Sequence, residues 1–147
     1  MASTRKILTS LHGRKVGLDV NGDLVVKGRK VPSQDDGGAL KISQAAPNAV
    51  NTSATLTTAQ VLGGIVTSTT GAAVAAQSPT GTDLDAAAGL LVDEAIDLTF
   101  IATGANALTL TVNTGVTIVG AAAVATATSG TFRFRKTAAN TFVAYRV

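Results

Sequence analysis

Between residues 94 and 147 apolar side chains alternate with polar ones, and that period of two confines the stretch to strands. Leu98, Phe100 and Ala102 fall on one side, with Asp97, Thr99, Ile101 and Thr103 on the other. Leu108, Leu110 and Val112 oppose Thr109, Thr111 and Asn113; Phe132 and Phe134 oppose Arg133 and Arg135. Six short runs emerge, at 95–103, 107–113, 116–119, 122–127, 131–137 and 141–147. They are separated by small polar joints such as Thr114-Gly115, Ser129-Gly130 and Ala138-Ala139-Asn140. Alternation, β-branched residues and Gly/Asn joints at short intervals predict an antiparallel sandwich or barrel.

Upstream, further strands are expected at 52–57, 65–69 and 72–76. One helical turn is expected at 58–62, and a short helix at 83–90 capped by Thr82. The count of eight or nine short strands with a helical insert suits an all-β, jelly-roll-like sandwich over residues 46–147. Much of the 46% apolar content is alanine, and aromatics make up only 3%. At roughly 25 cal/mol per Å² of buried apolar surface, alanine adds little for each residue ordered. A thin core of this kind gains from sharing surface with copies of itself.

Charge divides the chain. Residues 1–41 hold eight of the twelve basic side chains (Arg5, Lys6, Arg14, Lys15, Lys27, Arg29, Lys30 and Lys41) against four acids. Residues 42–132 contain no Lys or Arg and five acids: Asp83, Asp85, Asp93, Glu94 and Asp97. The last fifteen residues add Arg133, Arg135, Lys136 and Arg146. The resulting zones of +4, −5 and +4 mark a boundary near residue 45 and define residues 1–45 as a basic arm.

Within the arm, Asn21-Gly22 lies between two alternating runs, the pattern of a tight type I′ hairpin. A two-residue loop would set Val20 opposite Asp23, Leu18 opposite Val25 and Val16 opposite Lys27. Val16, Leu18, Val20 and Val25 would then form one apolar strip. A lone two-stranded ribbon is marginal in water, so this strip needs a surface to lie on. Residues 28–38 read as a polar linker.

Residue types exclude several chemistries. The chain has no cysteine, hence no disulfide framework or thiolate metal site, and its one histidine, His12, lies in the arm. A Ser-His-Asp device is therefore not expected, and neither zinc nor another cofactor is. Asp83 and Asp85 lack the frame of a calcium loop and read as a helix start. Gly37-Gly38 and Gly63-Gly64 begin no phosphate-binding loop. The arm contains no aromatic on which a base could stack, so nucleic acid is a poor candidate partner and an acidic protein surface a better one. No run has the length of a membrane helix and the N-terminus lacks a secretory core, so synthesis and retention in the producing cytoplasm are expected. Phe100, Phe132, Phe134, Phe142 and Tyr145 read as core or subunit-interface packing.

Three groups of segments carry a resemblance. Thr52-Ser53-Ala54-Thr55-Leu56-Thr57 and Val61-Leu62-Gly63-Gly64-Ile65-Val66-Thr67 open it. Ile96-Asp97-Leu98-Thr99-Phe100-Ile101 and Thr109-Leu110-Thr111-Val112 form its middle. Ser129-Gly130-Thr131-Phe132-Arg133-Phe134-Arg135-Lys136-Thr137 and Thr141-Phe142-Val143-Ala144-Tyr145-Arg146 close it. Residues 50–147 thus resemble a β-domain of tailed-bacteriophage structural proteins, among them capsid decoration (cement) proteins and head-fibre modules. The resemblance implies a non-enzymatic, trimeric jelly-roll-like domain on a virion, with an N-terminal segment gripping the major capsid protein. The residues expected at that contact are Arg5, Lys6, Arg14, Lys15, Val16, Leu18, Val20, Val25, Lys27, Arg29 and Lys30. The alternative is a tail-fibre or head-fibre module that binds a host-surface glycan.

Overall fold

A computed structural model of the chain describes the strands Val16–Leu18, Leu24–Val26 and Arg29–Lys30, together with residues 44–147. The chain divides into two compact units, Met1–Ser43 and Gln44–Val147.

In the first unit, β1 (Val16–Leu18), β2 (Leu24–Val26) and β3 (Arg29–Lys30) form a three-stranded antiparallel sheet in the order β1-β2-β3. Two expectations are corrected. The register sets Val16 opposite Val26, Gly17 opposite Val25 and Leu18 opposite Leu24, one residue away from the two-residue-loop register. Val25 is thereby paired with Gly17, off the face on which Val16 and Leu18 pair with Val26 and Leu24, so Val16, Leu18 and Val25 do not form the single strip expected; a shift of one residue moves a strand's whole set to the other face. The supposed linker also supplies a third strand, with Lys30 opposite Val25 and Arg29 opposite Val26. A third strand relieves the marginality of a two-stranded ribbon.

The second unit is mostly β. Its strands are β4 (Asn48–Ala49), β5 (Ala54–Thr55), β6 (Ile65–Ser68), β7 (Val74–Gln77), β8 (Ala95–Ala102), β9 (Leu108–Thr111), β10 (Val116–Val119), β11 (Ala123–Val124), β12 (Thr128–Ala138) and β13 (Thr141–Arg146). Helices α1 (Thr58–Leu62) and α2 (Gly81–Ala88) are inserted. The strands form a six-stranded sheet, β10-β13-β12-β8-β6-β4, and a four-stranded sheet, β11-β9-β7-β5.

The arrangement is not the antiparallel one expected of a jelly roll. Successive strands from β4 to β9 alternate between the sheets, so the chain winds, and each strand lies parallel to the one a full turn earlier. β4–β6, β6–β8, β5–β7 and β7–β9 are all parallel. Parallel neighbours need crossovers of a dozen or more residues, which the intervening strand and helix of each turn provide. The chain then finishes antiparallel, β8 with β12 and β12 with β13, before β10 adds parallel to β13 at the edge. Alternation reports which face of a strand is buried and is silent about the strand beside it, which is why winding escaped the sequence pattern.

The core lies between the sheets. Leu98, Phe100, Phe132, Phe134 and Phe142 face Val74, Ala76, Leu108, Leu110 and Val124 as one buried cluster, closed by Val61 of α1 and Leu84 of α2. Phe100 and Phe132 meet edge to face at 5.3 Å and 67°, a favoured aromatic geometry. α1 begins with a capping box in which the Thr57 hydroxyl accepts from the Gln60 N–H while the Gln60 side chain accepts from the Thr57 N–H. α2 starts earlier than expected: its N-cap is Thr80, not Thr82, and Thr82 lies within the helix. Thr80 has the extended backbone an N-cap needs (φ −67°, ψ 156°), and its hydroxyl accepts from the Asp83 N–H.

Candidate functional site

Of the residues expected at a capsid contact, Arg5, Lys6, Arg14, Lys15, Val20 and Lys27 lie outside the described residues, as does His12. Val16, Leu18, Val25, Arg29 and Lys30 fall on one small sheet, distributed over all three of its strands. The basic pair is thereby hydrogen-bonded through its backbone to the apolar strand β2.

The second unit uses its own charges internally. Asp97 on β8 and Arg133 on β12 are directly opposite in the ladder, and the guanidinium grips the carboxylate through Nε and Nη2, each at 2.8 Å. Those hydrogen bonds hold Asp97 below the ordinary carboxylate range and raise Arg133 above its own. Arg135 pairs through one guanidinium nitrogen with Asp93, in the turn that precedes β8.

Lys136 lies on the inward side of β12, where its ammonium pairs with Asp85 of α2 and donates to the Leu90 carbonyl at 2.9 Å. Asp85 also accepts from the Asn140 N–H at 2.8 Å. The Lys136 hydrogen bond first, and the Asn140 N–H second, keep the Asp85 carboxyl below its usual range. One carboxylate therefore ties α2 to the β12–β13 turn. Arg146 is opposite Phe132 and spreads its guanidinium 5.1 Å above the ring, in cation–π range.

The remaining acids are engaged locally. Asp83 accepts from the Thr80 hydroxyl at 2.7 Å, and Glu94 accepts from the Leu91 N–H at 2.8 Å. No group of three or more metal-ligating side chains occurs among the described residues. No helix among them is long and apolar enough to cross a membrane.

Two open grooves lie among the described residues. One of about 460 Å³ runs along the starts of both helices, lined by Thr55, Thr57, Thr80, Asp83 and Asn113 among others. The second, about 510 Å³, lies between Ile101–Thr103 and Ala127–Ser129. Neither is lined by an aromatic residue. Phe100, Phe132, Phe134 and Phe142 are wholly buried, and Tyr145 is half-buried on the outer side of β13.

Sequence reasoning missed the cross-strand pairing of the acids at 85–97 with the basic cluster at 133–136. The available signal was their position on adjoining alternating runs, Asp97 on the same parity as Thr99 and Arg133 opposite Phe132 and Phe134. No protein family, curated protein or solved structure matches the chain.

Proposed function

We propose that this chain is a non-enzymatic structural protein of a tailed-phage virion that decorates and stabilises the capsid. Its N-terminal unit docks on the major capsid protein and its β-unit forms the projecting oligomer, the trimer that the resemblance of residues 50–147 implies. The observation that carries the reading is a division of labour in charge. Three of the four basic side chains of Gln44–Val147, Arg133, Arg135 and Lys136, are paired with that unit's own carboxylates, and the fourth, Arg146, lies over the Phe132 ring. The +4 surplus of residues 1–41 belongs to the other unit.

A basic, partly apolar segment on a separate body is suited to an acidic protein lattice. Repetition of that segment in an oligomer multiplies weak contacts through effective concentration. Val16 and Leu18, with Arg29 at a register position on their face of the sheet, would supply one contact, and Val25 with Lys30 would supply the other face. The test is sedimentation with purified capsids lacking the protein. Full-length chain should co-sediment, and the chain lacking residues 1–43 should remain folded yet stay in the supernatant. Full occupancy by the truncated chain overturns the arm's role. Binding of saccharides by residues 44–147 on a glycan array would instead favour the fibre-module reading, for which the hydroxyl-lined groove at the helix starts is the available surface.

A further inference from the structure

We draw no further inference here: the strongest candidate, the Arg146 guanidinium at the end of β13, which lies over the Phe132 ring and against Gly130 with its Nη1 buried and without a hydrogen-bond partner, carries nothing because neither groove is lined by it and nothing in the structure shows what would pair with it.

Discussion

A Cβ placed on Gly81 would stand 2.0 Å from the carbonyl oxygen of Asn140 and 2.8 Å from that of Gly115. Three distant points of the chain, the start of α2, the turn before β10 and the β12–β13 turn, therefore converge backbone against backbone. Their bonds confirm the seat: the Gly81 N–H donates to the Thr114 carbonyl, and the Phe142 N–H to the Gly115 carbonyl. Gly81→Ala should consequently cost about 3 kcal/mol, at the upper end of ordinary overpacking, because the obstructing atoms belong to rigid turns. Gly130 offers the contrast. A Cβ there runs first into the guanidinium of Arg146, the far end of a flexible side chain. Gly130→Ala should displace that group from Phe132 and cost about 1 kcal/mol. Urea denaturation of the two variants checks the order; equal losses would refute the distinction.

The phenylalanine core carries the second unit. Phe100 and Phe132 are wholly buried and in edge-to-face contact, amid Ala76, Ala102 and Ala144, which bring little apolar surface each. Phe100→Ala should lower stability by about 3–5 kcal/mol. The double variant with Phe132→Ala should lose less than the sum of the singles, since the pair contact can be lost once only. Chemical denaturation of the four proteins measures the cycle.

The helix starts can be told apart by substitution. Thr80 caps α2 and Thr57 caps α1, so Thr80→Ala and Thr57→Ala should each cost about 1 kcal/mol. Thr82, inside the first turn of α2 and exposed, should tolerate Ala with little change. A larger loss at Thr82 than at Thr80 would show the helix to begin two residues later.

Asp85 and Asp97 both have folded-state pKa values lowered from the ordinary 3.8. A lowered folded value means that the fold favours the ionised carboxylate. Its stabilisation is present in full above the unfolded value and disappears as pH falls through the folded one. Stability should therefore be level above about pH 5 and decline below about pH 4, the unfolded range of an aspartate. Asp85→Asn should flatten that acid limb and lower stability at neutral pH by leaving Lys136 without its carboxylate. Asp97→Asn should flatten it while costing less at neutral pH, since the Asp97–Arg133 pair is about half exposed. Denaturant midpoints measured from acid to neutral pH decide both; an unchanged acid limb in both variants would exclude these carboxylates as its source.

The line between sequence and structure runs between direction and neighbourhood. Alternation determined the inward set: Leu98, Phe100, Ala102, Leu108, Leu110, Phe132 and Phe134 are all buried. This was legible because a strand sends successive side chains to opposite sides whatever lies next to it. The helical turn at Thr58–Leu62 was legible for a similar local reason, its Thr57-x-x-Gln60 box closing on itself. What the residues alone did not carry was the partner of each strand. The parallel winding of β4 to β9, the register that sets Leu24 rather than Val25 opposite Leu18, and the joining of Asp97 to Arg133 and Asp85 to Lys136 all rest on contacts between segments far apart in the chain. Such contacts follow from how two faces pack and which backbone groups are left to pair. Tertiary structure decided them.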